Sequence, residues 1–226
     1  MKYKACLHLH IKGDPIDNIS YSFSDVIQKA VAEDFKIIAV TAHDKIMYSE
    51  EMQTLATQNG ILLIPGIEKT IEGKHVVILN CHQSADQIES FTQLQSYKQA
   101  HAESFILAVH PFFYMPNCLK DKLEQHIQLF DGIELNYFYN KYLNPNLRAL
   151  KIAKKYNKPV IGTSDVHLIE YFSNTFTSIT VQNLTILEVI DALKKNQLDI
   201  TTNSFSILEL IKILSKIVIA QFSNRK

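Results

Sequence analysis

Three cysteines, six glycines, six prolines and a net charge of zero exclude several kinds of protein before any motif is read. Cys6, Cys81 and Cys118 are odd in number and far apart, so no disulfide framework is expected, and there is no Cys cluster to hold a structural zinc ion. Lys plus Arg (23) balances Asp plus Glu (23), and no basic stripe with interleaved aromatics is present, so long nucleic acid is not expected as a partner. Met1-Lys2-Tyr3 opens into no signal-type apolar segment, which together with the cysteine usage favours a reducing cytoplasm. The most apolar run, ILELIKILSKIVIAQF (207–222), is broken by Glu209, Lys212 and Lys216 and is too short to span a bilayer, so no transmembrane segment is expected. It reads as an amphipathic C-terminal helix that caps a core or docks on a partner, a second copy included, or on a membrane surface. Repeats, low-complexity stretches and linkers rich in Pro, Gly or Ser are also missing, so 1–226 reads as one domain.

What is present is a rhythm. YKACLHLH is followed by SFSDVIQKAVAEDF, KIIAVTAHD by SEEMQTLATQ, FILAVHP by LKDKLEQHIQLF, DGIELNY by NPNLRALKIAKKY, and KPVIGTSD leads through TSITVQ to TILEVIDALKKN. Short β-rich runs alternating with helical ones predict an α/β fold with a mostly parallel sheet, open or closed into a barrel. One connection differs: only Ile71-Glu72-Gly73 separates ILLIPGIEKT from KHVVILN. Such a link is too short for a crossover helix and predicts an antiparallel hairpin at strands 3 and 4, with His75 beside the end that carries Glu68.

The chain has nine histidines, and six of them fall at strand ends that share one face of such a sheet. His8 and His10 sit at alternate positions of the first strand and so point the same way. His43 closes TAHD, His110 closes FILAVHP, His167 follows KPVIGTSDV, and the hairpin brings His75 to the same face. Glu68 and Asp165 occupy matching positions. Taken singly, each such histidine is more often a core or surface residue. Together, so many imidazoles and carboxylates would leave desolvated polar groups unsatisfied without a metal. His101 and His126 fall in helical runs and read as solvated, while His82 ends a strand and competes with His75. Imidazole plus carboxylate without thiolate suits zinc, manganese or iron, and the donors outnumber what one ion takes, implying two or three ions bridged by a carboxylate such as Glu68. Lys12, Lys45 and Lys69 each follow one of these motifs, and Arg148 opens the NPNLRAL helix; converging, they would hold a phosphate. Tyr137, Phe138, Tyr139 and Tyr142 are candidates for a substrate wall.

The motifs HLH (8–10), TAHD (41–44), PGIE (65–68), KHVV (74–77), HP (110–111) and SDVH (164–167), in this order, resemble those of the PHP (polymerase and histidinol phosphatase) domain, over residues 1 to 170. The resemblance implies a distorted (βα)7 barrel with a two- or three-metal centre at the carboxyl ends of its strands. Carried over residue by residue, the ligands are His8, His10, His43, Glu68, His75, His110, Asp165 and His167, with Asp14 as the further ligand after the HxH pair. Two departures stand out: Ala42 replaces the acidic residue of the family's TDH, leaving Asp44 as the nearest carboxylate, and KGDPIDNISYS replaces its SDG-type segment. The implied activity is hydrolysis of a phosphate mono- or diester, in a small metabolite or nucleotide, by a metal-activated water with Asp165 or His167 moving protons. Two rival readings are a deacetylase or amidohydrolase on the same ligands and a non-catalytic, metal-stabilised interaction domain.

Overall fold

The computed structural model describes residues 1–222. Its strands are β1 (Lys2–Cys6), β2 (Phe35–Val40), β3 (Leu62–Ile71), β4 (Lys74–Leu79), β5 (Phe105–Ala108), β6 (Gly132–Asn136), β7 (Val160–Thr163), β8 (Thr175–Thr180) and β9 (Leu198–Thr202). They form one sheet in the order β7-β6-β5-β4-β3-β2-β1-β8-β9. β1, β2 and β3 run parallel, as do β5, β6 and β7. β4 is antiparallel to both of its neighbours, as so short a link requires; Ile71 joins β3, leaving only Glu72 and Gly73 in the turn, and Thr70 pairs with His75. β8 and β9 are antiparallel additions on the other side of β1.

Among the described residues seven α-helices accompany the sheet: α1 (Phe23–Ala32), α2 (Glu50–Gln58), α3 (Phe91–Ala100), α4 (Asp121–Gln125), α5 (Asn146–Lys155), α6 (Ile186–Lys194) and α7 (Ile207–Phe222). Their starts obey the capping chemistry of the sequence. Ser22 forms a full capping box with Asp25, and Ser49 and Thr185 each accept a backbone N–H of the first turn. The run LKDKLEQHIQLF makes only the short α4 and a 3-10 turn, while FTQLQSYKQA, polar enough to pass unnoticed, forms α3 over a stripe of Phe91, Leu94 and Tyr97.

The sheet curls into a nearly closed barrel, a distorted (βα)7-like arrangement. Alternation assigns each strand residue a side: Ile37 and Ala39 of β2 join an inner cluster with Ala5, Leu7, Val77, Leu107 and Ile161, whereas Ile38 and Val40 pack outward beneath α1. Each fully buried Ile or Leu here contributes roughly 1.5–3 kcal/mol of transfer free energy. Hydroxyls close the seam between β7 and β8. Thr177 Oγ1 accepts from Gly162 N (2.9 Å) and donates to Gly162 O (3.0 Å), and Ser164 Oγ bonds Thr175 N and O, both at 2.9 Å.

α7 occupies the predicted span. Ser206 caps it, and it packs by a narrow stripe, Leu210 and Ile213, leaving Ile207, Leu208, Ile211, Leu214, Val218 and Ile219 exposed. Asn18 Nδ2 donates to Ala220 O and Lys216 pairs with Glu170, tying the helix to the loops after β1 and β7. No helix among the described residues is long and apolar enough to cross a membrane.

Candidate metal centre

Alternation beyond β1 sorts four consecutive residues. Leu7 and Leu9 are fully buried in apolar clusters, and His8 and His10 between them turn to the carboxyl end of the barrel. His43 follows β2 and bridges to Glu68 on β3. His75 stands diagonally across the hairpin from Glu68, placing its Nδ1 2.8 Å from Glu68 Oε1. His110 and Asp165 follow β5 and β7, both in left-handed backbone (φ 29° and 41°), a conformation uncommon outside glycine and concentrated at functional sites.

Glu68 is the hub. Its Oε2 lies 3.2 Å from His8 Nε2, 3.3 Å from His10 Nε2 and 3.2 Å from His43 Nε2, while Oε1 lies 3.1 Å from His110 Nε2. Asp165 Oδ1 is 3.3 Å from His8 Nε2 and 3.5 Å from His10 Nε2. These three atoms, His8 Nε2, His10 Nε2 and Asp165 Oδ1, are buried without a hydrogen-bond partner among the described residues. Orphaned buried donors and acceptors are costly. Asp165 Oδ1 stands off both ring nitrogens at close to roughly 3.3 Å, the edge of a tetrahedron of ligands about 2.0–2.1 Å from an ion, so the three would suit a divalent cation. Overlapping donor groups adjoin it: His8, Glu68 and His110; His43, Glu68 and His75; and His10, Asp14, Asp17 and His43. Glu68 belongs to two of these groups, and between them the groups have the donors to hold metal ions.

A second layer orients the rings. His8 Nδ1 bonds Glu134 Oε1 (2.8 Å), His10 Nδ1 bonds Asp14 Oδ2 (2.9 Å), and His110 Nδ1 meets Cys118 Sγ (3.6 Å). Fixing Nδ1 outward leaves Nε2 free to face a cation. Charge follows geometry. Burial alone would strip His8 of its proton, yet the charges of Asp165, Glu68 and Glu134 push its pKa up to about 10. Burial alone would raise Glu68 and Asp165, but the surrounding rings, His8 foremost, hold both well below the carboxylate range. A field that keeps protons on imidazoles also attracts a divalent cation in their place.

The other sequence candidates are placed as follows. Lys12 and Lys45 are exposed, and Lys12 lines a cleft of about 370 Å³ with Asp14, Ile16 and Asp17. Lys69 is buried 3.0 Å from Asp44 Oδ1, so these two charges answer each other. Arg148 pairs with Asp121 at 2.8 Å and lies over the Phe112 ring. His82 is remote: β4 runs antiparallel, so its far end lies with the amino ends of β3 and β5, where His82 stacks on His101 at 4.7 Å. Tyr137 is buried, Tyr139 Oη bonds Thr202 Oγ1 (3.0 Å) and Tyr142 is exposed. The sequence reading missed Glu134, Asp17 and Cys118. Glu134 had a legible signal, since a lone carboxylate inside the core strand GIELN needs a buried partner.

The PHP-associated family model matches residues 144–198, the segment that holds Asp165 and His167. No curated protein matches the sequence. Among solved structures, a two-domain protein containing a predicted PHP-like metal-dependent phosphoesterase from Bacteroides vulgatus is 17% identical, with TM-score 0.65 over 96% of this chain and 70% of its own. PsfC from Pseudomonas syringae is 14% identical, with TM-score 0.68 over 97% and 98%. The lesion-specific endonuclease Q of Pyrococcus furiosus is 12% identical, with TM-score 0.67 over 95% of this chain and 66% of its own. Another endonuclease Q structure, 13% identical with TM-score 0.65 over 86% and 57%, holds a 27-mer duplex with an abasic lesion at the active site. This corrects the expectation that long nucleic acid is excluded. Net charge is a sum over the whole surface and does not decide what a local cleft can bind. The His, Asp and Glu clusters have the donors to hold metal ions, and the chain has the fold of the PHP-domain, metal-dependent phosphoesterase superfamily.

Proposed function

We propose that the protein is a metal-dependent phosphoesterase that hydrolyses a phosphate mono- or diester. The observation that carries this reading is the convergence of His8, His10, His43, His75 and His110 on the two oxygens of Glu68, beside orphaned atoms of His8, His10 and Asp165. Zinc, manganese or iron ions held there, two or three in number, supply a water acidified toward neutral pH and positive charge for the phosphoryl oxygens. The chain's own residues do the rest. His8 and His10 are sealed from solvent, whereas the side chains of Asp165 and His167 are each 17% exposed and 3.3 Å apart, which suits them to move a proton to the leaving oxygen. Lys12 and Lys45, exposed beside the mouth, steer and hold the phosphate. Lys69 is tied to Asp44 and Arg148 to Asp121, so each contributes only when that carboxylate releases it.

The endonuclease Q likeness favours carrying a second substrate form, the phosphodiester of a nucleic acid backbone, into the same test. The test is a panel of phosphomonoesters, phosphodiesters, single- and double-stranded oligonucleotides and N-acyl compounds, assayed with wild type, Lys12→Ala and Lys45→Ala. We expect phosphate-ester turnover with KM raised about tenfold in each variant, the worth of one charge-assisted hydrogen bond of about 1.5 kcal/mol. Turnover of N-acyl compounds alone, indifferent to both lysines, would replace this reading with that of an amidohydrolase.

A further inference from the structure

Ring orientation sorts the carboxylates of the centre into two classes. The inward nitrogens of His8, His10, His43 and His110 are all Nε2, aimed at Glu68. Their Nδ1 atoms are tied outward: His8 to Glu134, His10 and His43 to Asp14, His110 to Cys118. His167 follows the same rule, with Nδ1 on the backbone oxygen of Asp165 (2.9 Å) and Nε2 2.8 Å from Asp17 Oδ2. His75 is reversed, and His167 Nδ1 lies 3.3 Å from Asp165 Oδ1 as well. Asp14, like Glu134, meets the rings only at Nδ1, whereas Asp17 faces the Nε2 of His167 as well as the Nδ1 of His43.

The hydrogen bonds of Asp14 agree. Its side chain is fully enclosed, and its two oxygens accept from Ile16 N (2.9 Å), Asp17 N (2.9 Å) and His43 N (3.0 Å) besides meeting His10 Nδ1 (2.9 Å) and His43 Nδ1 (3.1 Å). A carboxylate with about four acceptor positions, met by these five nitrogens, has none left for a cation. Asp17 is placed differently: its Oδ2 lies 2.8 Å from His167 Nε2 and 3.6 Å from His43 Nδ1, at the wall of the cleft.

We infer that Asp17, not Asp14, supplies the loop carboxylate of the metal centre, and that Asp14 is a positioning residue that holds His10 and His43. The inference rests on the metal-dependent reading above and assigns a ligand that the HxH spacing alone misplaces. The loop KGDPIDN explains the exchange. Asp14 closes the turn, as its bonds to Ile16 N and Asp17 N show, and this turn presents Asp17 three residues later.

The test strips wild type, Asp14→Asn and Asp17→Asn of metal, titrates each with Mn²⁺ or Zn²⁺, and counts bound equivalents by elemental analysis and calorimetry. Asp17→Asn is expected to bind one equivalent fewer than wild type. Asp14→Asn is expected to bind the full number, with affinity weakened roughly ten- to a hundredfold, as for loss of an outer-layer partner. Long-range ¹⁵N–¹H NMR of the metal-free wild type should show His10 protonated at Nδ1, a signature that a merely structural Asp14 would not set. Because Asp17 is partly exposed, its variant decides the assignment even if Asp14→Asn does not fold. Full stoichiometry in Asp17→Asn would overturn the inference alone, whereas wild type that takes up no ion would overturn the metal-dependent reading with it.

Discussion

At the scale of single residues, the centre depends on which nitrogen each ring turns inward. Glu134 is the strongest case: wholly buried, it receives His8 Nδ1 and Asn136 Nδ2, and Thr163 Oγ1 and His110 N at 2.5 Å each. Glu134→Ala strands those donors and is expected to cost about 3 kcal/mol or more in urea unfolding and to weaken metal binding roughly ten- to a hundredfold. Unchanged metal affinity in a folded Glu134→Ala protein would contradict the orienting role. The cysteines are expected to be inert. Burial pushes Cys6 and Cys81 up to about 12, so very little of the reactive thiolate is present near pH 8, and neither should be alkylated in native protein at that pH. Rapid labelling of either before unfolding would show that the core opens there. The histidines were legible because an HxH on a strand has one geometric reading. Glu134 was harder to read because its partner lies 126 positions away, and proximity of that kind is not written locally. The choice between Asp14 and Asp17 depends on how one loop folds back.

At the scale of elements, the hairpin of β3 and β4 was legible from the length of its link alone, and with it the position of His75. The same reversal carries His82 away. What escaped was β9. LDITT has no strong apolar alternation, and β9 exists because β8 offers an antiparallel edge. The β7–β8 seam makes this region testable. A Cβ at Gly162 would lie 2.5 Å from Ile200 Cγ2 on β9, so Gly162→Ala is expected to destabilise by about 1–3 kcal/mol through overpacking. Thr177→Val, nearly isosteric, removes both bonds to Gly162 and is expected to cost about 1–3 kcal/mol. Urea midpoints unchanged in both variants would mean that the seam contributes no stability.

At the scale of the whole molecule, composition read well where it spoke of patterning and poorly where it spoke of partners. The βα rhythm predicted an α/β fold with a mostly parallel sheet because hydrophobic periodicity is local, while the choice of a barrel came from the family resemblance. Zero net charge does not exclude a nucleic acid partner, because a binding mouth is a small part of the surface. α7 shows the same division: its helicity and span were legible, while the width of apolar face it leaves exposed depended on how few residues meet the barrel. A cation bound only by the folded state should raise its stability by mass action, about 2.7 kcal/mol at a hundred times Kd. Thermal scans of stripped protein with increasing Mn²⁺ or Zn²⁺ should therefore show Tm climbing with concentration, and a Tm indifferent to either ion would mean that the centre does not bind it.

The most direct test of the central claim is metal content and phosphate release measured together on wild type, His8→Ala and Asp165→Ala. Wild type should carry two or three equivalents of zinc, manganese or iron and release phosphate from at least one ester, and both variants should lose metal and turnover together. Folded wild type that stays metal-free and inactive after reconstitution with each ion would contradict the account.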